Sequence, residues 1–61
     1  MKVIIINRTV YNQFVDLDGV EDTKDIVNVG PKEKVIVDIP NEKRFLEISK
    51  KFNNILVVRK V

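Results

Sequence analysis

Apolar, β-branched residues fill two stretches of the chain almost without polar interruption. The first lies within Lys2–Ile6, where four Val and Ile residues follow the lysine, and the second is Ile55–Lys60, which is apolar through Val58. Branched side chains pack well on a pleated sheet and favour strands. An unbroken apolar run is typical of a strand covered on both faces. Both stretches are therefore predicted to be central strands.

Strict alternation marks a further strand at Lys34–Ile39. One face carries Val35, Val37 and Ile39, and the other carries Lys34, Ile36 and Asp38. Alternation with period two is the pattern of a strand with one buried face. Pro40 is expected to end this strand, because proline has no N–H to donate to a sheet ladder.

Two other segments, Val10–Leu17 and Ile26–Val29, are predicted to be strands joined through a turn. The dipeptide Asp18-Gly19 follows the first of them. This dipeptide is typical of type I′ hairpin turns, which need positive φ at both central residues. The polar run Glu21–Asp25 is predicted to be a loop or a solvated, frayed arm of the same hairpin.

Helical spacing appears once, over Glu42–Phe52. Its apolar positions, with Leu46 beside them, are Phe45, Ile48 and Phe52. These positions follow the i, i+3, i+7 spacing of one helix face. Asn41 is a good N-cap residue, and Asn53 and Asn54 suit a left-handed stop after the helix.

The predicted order of elements is therefore β-β-β-β-α-β in a single domain over residues 1–61. The fold class is mainly β with one short helix. One helix cannot cover both faces of a sheet, yet two strands read as buried on both sides. A small barrel or a sandwich satisfies both strands by letting the sheet cover itself.

Charge is distributed unevenly along a chain whose net charge is only +2. Residues 1–30 hold three basic and five acidic residues, whereas residues 31–61 hold eight basic and four acidic residues. We expect an acidic loop at one place and a basic last third. The predicted partner-contact residues are Tyr11, Asp16, Asp18, Glu21, Asp22, Lys43, Arg44, Lys50 and Lys51.

The residue types that most enzymes and metal sites need are scarce. The chain has no cysteine and no histidine, and Ser49 is its only serine, without a histidine to activate it. The acidic run from Asp16 to Asp22 matches neither the glycine position nor the final glutamate of a calcium loop. A paired-carboxylate hydrolase is possible on residue type alone, but so short a chain has little room for a cleft. We therefore expect no catalytic, cofactor-binding or metal-binding residues.

Two kinds of partner remain open. The leading hypothesis is a non-enzymatic interaction module that docks on a protein or on copies of itself. Self-docking would use the predicted edge strand Ile26–Val29, or a head-to-tail contact between the acidic loop and the basic helix and last strand. The alternative is a small nucleic-acid-binding β-barrel that uses the basic C-terminal third.

The apolar run near the start is too short for a signal-peptide core or a transmembrane helix. We expect a cytoplasmic or virion protein without a membrane partner. Asn7, Arg8 and Thr9 match the glycosylation sequon. Without a secretion signal, we interpret this match as chance.

Three segments together carry a family resemblance. A strand ends in Asn within Val3–Arg8, a turn leads into an alternating strand over Val29–Val37, and a short helix at Phe45–Ile48 precedes a closing strand at Asn54–Val58. The arrangement is similar to small β-rich accessory proteins of tailed bacteriophage particles, of the head-decoration or head–tail type. The resemblance spans most of the chain except Tyr11–Asp25 and transfers no functional residues. It implies a structural component of a virion, bound to a larger protein lattice.

Overall fold

Five strands and one helix form the part of the chain that the structure, a computed structural model, describes: residues 1–19 and 25–61. In chain order they are β1 (Lys2–Asn7), β2 (Gln13–Asp16), β3 (Ile26–Val29), β4 (Lys34–Asp38), α1 (Glu42–Lys51) and β5 (Leu56–Lys60). This order confirms the predicted β-β-β-β-α-β arrangement and the mainly β fold class. The predicted bounds of β3 are those observed, and the bounds of β1, β4, α1 and β5 differ by one residue at one end.

Three strands form one antiparallel sheet in the order β4-β1-β5. Strand β1 is central, as predicted, and pairs Ile5 with Val35 of β4 and with Val58 of β5. The prediction that the last strand is also central was wrong, because β5 is an edge strand of this sheet. An apolar run reports what covers the faces of a strand, but it does not report which strands lie beside it.

The other two strands, β2 and β3, form a second antiparallel sheet. The connection between them runs from Leu17 to Asp25, and the backbone N–H of Leu17 donates to the carbonyl oxygen of Asp25 at 3.0 Å. The predicted type I′ turn was wrong, because Gly19 has positive φ (72°) whereas Asp18 does not. Most of the predicted loop Glu21–Asp25 lies outside the described residues, which resume at Asp25.

The two sheets do not close into a barrel, so of the two predicted architectures the closed one is not observed. Their facing sides and one face of α1 enclose a single core. The buried apolar residues of this core are Val3, Ile5, Val15, Leu17, Val29, Ile39, Ile48 and Leu56. Every described element except β4 contributes a buried apolar residue, and β4 packs Val35 and Val37 against the cluster.

Helix α1 begins and ends as its sequence predicts. The Asn41 side chain accepts a hydrogen bond from the backbone N–H of Arg44 at 2.9 Å, which satisfies one free amide of the first turn. Asn54 adopts the left-handed conformation after the helix, with φ of 71°. Ile48 is fully buried, whereas Phe45 and Phe52 are half-buried against the core. The predicted apolar face is therefore the packed face.

Asn7, at the end of β1, joins three segments of the chain although its side chain is only 1% exposed. Its Nδ2 donates to the carbonyl oxygens of Tyr11, Val29 and Gly30 at 2.7, 2.9 and 3.0 Å. Its Oδ1 accepts from the backbone N and the Oγ1 of Thr9 at 2.8 and 2.7 Å. This network bends the chain after β1 and ties the bend to the end of β3.

The same bend explains why β2 begins at Gln13 and not at Val10, where the second strand was predicted to start. Thr9 and Tyr11 are engaged with Asn7 and with each other, so this segment cannot continue as a regular strand. The spacing of Asn7 and Thr9 that matches the glycosylation sequon is the spacing of this side-chain turn. A glycan on Nδ2 is incompatible with its three hydrogen bonds.

Candidate functional site

The three-stranded sheet has two faces of different character. The inner face packs into the core through Val3 and Ile5. The outer face, which we define by Ile4, Ile6, Ile36 and Val57, contributes nothing to the core cluster or to the residues packed against it. Ile36 is 64% exposed, and the other three are half-buried. No described helix or strand covers this apolar face.

Charged residues border the outer face. The strand register arranges its side chains in three rows across β4, β1 and β5: Lys34, Ile6 and Val57; Ile36, Ile4 and Arg59; then Asp38 and Lys2. Three basic side chains and one acidic side chain therefore surround four neighbouring apolar ones. The patch combines a hydrophobic centre with a net positive border.

Sheet geometry sets the dimensions of this patch. Strands lie about 4.8 Å apart and rise about 3.3 Å per residue, so three strands over the length of β1 span roughly 14 by 20 Å. The whole face, including its charged border, covers about 300 Å², so its apolar centre is smaller than this. A patch of this size is wide enough for one secondary-structure element.

Asp16, the first of the acidic contact candidates along the chain, lies beside helix α1. The guanidinium of Arg44 donates through Nη2 to the carbonyl oxygen of Asp16 and lies 3.8 Å from a carboxylate oxygen of Glu47. The Arg44 side chain is 14% exposed, so it contacts its own loop and offers little surface to a partner. Arg44, one of the predicted basic contact residues, is thus engaged within its own chain, through a backbone carbonyl of the predicted acidic segment.

The loop after β2 is held by a local turn. One carboxylate oxygen of Asp16 accepts a hydrogen bond from the backbone N–H of Gly19 at 3.2 Å. Asp18 is half-buried in the same turn. The other two acidic candidates, Glu21 and Asp22, lie outside the described residues, so the structure does not place them.

Gly19 is a position where a side chain should be costly. Its φ is 72°, and a Cβ there would lie 3.2 Å from the guanidinium of Arg44. We expect Gly19→Ala to lower the free energy of unfolding by about 1–2 kcal/mol, because a left-handed backbone strains a residue with a Cβ. Urea denaturation monitored by circular dichroism measures this loss.

Gly30→Ala is the matched control for that substitution. A Cβ at Gly30 meets its nearest neighbours at 3.6 Å or more, and its φ is not positive. We expect a change within about 0.5 kcal/mol. Equal losses in the two variants would contradict the assigned strain at Gly19.

The basic helix candidates do not form one stripe with the last strand. Lys43, Lys50 and Lys51 are exposed, and Lys50 and Lys51 occupy the last turn, where positive charge complements the helix dipole. Lys60 forms an ion pair with Glu42 at 2.7 Å and lies 5.4 Å from the centre of the Phe45 ring. Arg59, by contrast, borders the outer face.

Two aromatic side chains are exposed beside the second sheet. Tyr11, a predicted contact residue, is 72% exposed, and Phe14 on β2 is 63% exposed. Phe14 lies opposite Asn28, which places it diagonally across from Ile26 on the outward side of the hairpin. No described cation lies over either ring.

Within residues 1–19 and 25–61 the structure encloses no pocket, and no three acidic side chains lie close enough together to hold a metal ion. Of the described elements, the single helix is too short and too polar to cross a membrane. Comparisons with protein-family models, with curated proteins and with solved structures found no match.

Sequence reasoning missed the outer face as a candidate site. Ile4 and Ile6 belong to an unbroken apolar run, which predicted cover on both sides of β1. The alternation of Lys34, Ile36 and Asp38 did place Ile36 on the side away from the core, and this was the available signal. The sequence pattern does not give the strand register, and it is the register that brings Val57 and Arg59 to the same face.

Proposed function

We propose that this chain is a non-enzymatic structural or interaction module that docks on a protein partner through the outer face of its three-stranded sheet. The observation that carries the proposal is the apolar patch of Ile36, Ile4, Ile6 and Val57, which lies apart from the core and in which Ile36 is exposed and the other three are half-buried. Contiguous apolar surface with a polar border is typical of interaction sites, because its contact with water costs free energy that a partner removes.

The charge at the border favours an acidic partner. Lys2, Lys34 and Arg59 outnumber Asp38, so the border of the patch carries a net positive charge. Complementary charge orients the encounter and disfavours partners that carry the same sign. A second copy placed face to face would bring two positive borders together.

The size of the patch favours a single helix as the occupant. A helix with its side chains is about 10–12 Å across, so one helix covers a sheet about 14 Å wide. We therefore assign the face to an amphipathic partner helix whose apolar stripe is flanked by Asp and Glu.

A titration with a designed helical peptide tests this assignment. The probe has a Leu stripe flanked by glutamates, and its matched control has lysines in place of the glutamates. We expect the acidic peptide to shift the backbone amide resonances of β1 and β5 in NMR spectra, and the basic peptide to bind at least about tenfold more weakly.

Variants of this chain locate the binding. Val57→Thr and Ile4→Thr change outer-face residues that do not belong to β4. Both should weaken binding of the acidic peptide several-fold, because apolar contact with the peptide is lost. Val10→Thr is the matched control, because Val10 is 66% exposed and does not lie on the outer face. Equal binding by all four proteins, or shifts confined to the hairpin, would contradict the proposal.

The nucleic-acid alternative predicts a different response. A single-stranded oligonucleotide should then bind more tightly than the acidic peptide, and its affinity should fall steeply with salt because bound counterions are released. The cations Lys2, Lys34 and Arg59 would then contact phosphates. We expect instead that the oligonucleotide binds weakly, and that Val57→Thr leaves its binding unchanged.

The resemblance to phage accessory proteins gives the proposal a specific form. A small domain that covers its apolar face on a larger protein suits a structural role in a virion lattice, and the open sheet face supports that reading. The chain should then occur in stoichiometric amounts in purified particles, as quantitative mass spectrometry can measure. Its absence from particles would remove the virion form and leave docking intact.

A further inference from the structure

Strand β4 presents a free edge to solvent. It is the end strand of the order β4-β1-β5, and it pairs with β1 alone among the described strands. At the two ends of that pairing, the backbone N–H of Ile39 donates to the carbonyl oxygen of Met1 at 2.8 Å. The backbone N–H of Asn7 donates to the carbonyl oxygen of Glu33 at 2.9 Å. Odd-numbered residues of β4 therefore bond inward to β1.

The even-numbered residues of β4 have the opposite orientation. In an antiparallel ladder, alternate residues direct their N–H and C=O groups to opposite sides of the strand. The backbone groups of Lys34, Ile36 and Asp38 thus point away from β1, and within the described chain they make no hydrogen bond. Their side chains lie on the outer face, and all three residues are exposed.

The sequence of this edge is complementary to itself. When Lys34–Asp38 pairs antiparallel with the same segment of a second copy, Ile36 lies opposite Ile36, and Val35 lies opposite Val37. Lys34 then lies opposite Asp38 of the second copy, and Asp38 lies opposite its Lys34. The two outermost pairs are therefore of opposite charge, and each such cross-strand pair is favourable.

Backbone geometry agrees with this register. The three residues with free N–H and C=O groups become the three directly opposed, hydrogen-bonded positions, and each pair exchanges two hydrogen bonds. The two-fold axis runs perpendicular to the sheet, so each copy keeps its outer face on the same side. The interface is closed, because the same surface is used on both copies.

The other edges lack this complementarity. Strand β5 carries Arg59 and Lys60 and no acidic residue, so pairing it with itself forms no cross-strand pair of opposite charge. Strand β3, the edge that the sequence suggested, has no charged residue to select a register. In β2 the only charged residue is Asp16, whose carbonyl oxygen Arg44 already contacts.

We propose that a second copy of this chain pairs with β4, so that two three-stranded sheets form one antiparallel six-stranded sheet. This inference deepens the proposed function by naming a second copy of the chain as one partner. It rests on the proposed function in one respect: pairing through β4 would join the two outer faces into one larger docking surface. Main-chain hydrogen bonds supply the attraction, and the Lys34–Asp38 pairs fix the register.

Charge reversal tests the register directly. Lys34→Asp places acid opposite acid at both ends of the interface, and Asp38→Lys places base opposite base. Each single variant should self-associate at least about tenfold more weakly than the unmodified chain. The double variant Lys34→Asp/Asp38→Lys restores opposite charges and should recover self-association. An equimolar mixture of the two single variants should form a heterodimer.

Sedimentation equilibrium measures these outcomes, because the mass of the unmodified chain should rise with concentration from 7.1 kDa toward twice that value. Lys43→Asp is the matched control for Lys34→Asp: it makes the same change of net charge at an exposed position of helix α1 and should self-associate normally. Circular dichroism confirms that each variant is folded.

A monomer at every concentration up to about 1 mM would overturn the inference, since contacts weaker than this are negligible. Self-association that survives in both single variants, or that the double variant fails to recover, would also overturn it. Neither result bears on the peptide titration with Val57→Thr, so failure here and failure of the docking proposal are distinguishable.

Discussion

Asn7→Asp is expected to lower the free energy of unfolding by about 3–5 kcal/mol at neutral pH. The substitution preserves the shape of the side chain and removes two N–H donors. Three carbonyl oxygens, those of Tyr11, Val29 and Gly30, lose their shared donor in a buried site. A buried polar group without a partner costs about 1–3 kcal/mol, and a carboxylate facing carbonyl oxygens adds repulsion.

The loss should depend on pH in a defined direction. Burial among carbonyl oxygens raises the pKa of the introduced carboxyl in the folded state, whereas the unfolded chain keeps a pKa of about 3.9. Folding then binds a proton between these two values, so the variant gains stability relative to the unmodified chain as pH falls through that window. The difference between the two proteins should be smallest below about pH 4.

Urea denaturation at several pH values measures this dependence. A domain of this length is stable by only about 3–9 kcal/mol, so the measurement is made in a stabilising osmolyte. Asn28→Asp is the control, because it makes the same chemical change at an exposed position of β3 and should cost less than about 0.5 kcal/mol. A pH-independent loss at Asn7 would show that its donors are not what stabilises the bend.

Ile48→Ala is expected to cost about 3–4 kcal/mol. Ile48 is the fully buried residue of α1, and it belongs to the core shared by both sheets. Truncating a buried isoleucine loses its transfer free energy and leaves a cavity that the surroundings fill only partly. Alanine is a better helix former than isoleucine, so its higher helix propensity offsets a few tenths of a kcal/mol of this loss.

Leu46→Ala is the matched control on the same helix. Leu46 is 50% exposed, so its truncation should cost less than about 1 kcal/mol. Phe45→Ala and Phe52→Ala should fall between the two, because both rings are half-buried and not enclosed. Thermal and urea unfolding give the ranking. A loss at Leu46 as large as that at Ile48 would mean that α1 packs through a different face.

The sequence by itself determined the elements and their order. Period-two alternation defined β4, the spacing of Phe45, Ile48 and Phe52 defined the packed face of α1, and Asn41 and Asn54 marked where the helix begins and ends. These signals succeed because hydrophobic periodicity and capping act over a few neighbouring residues. They also identified the exposed side of β4, where the proposed contacts lie.

Only the tertiary structure decided which strands are neighbours. An apolar run is the same in β1 and β5, yet β1 lies in the centre of the sheet and β5 lies at its edge. Asn7 reads as an ordinary polar residue until the fold brings Val29 and Gly30 beside it. The outer face and the free edge of β4 arise from pairing between distant segments, and that pairing is set by register and not by local composition.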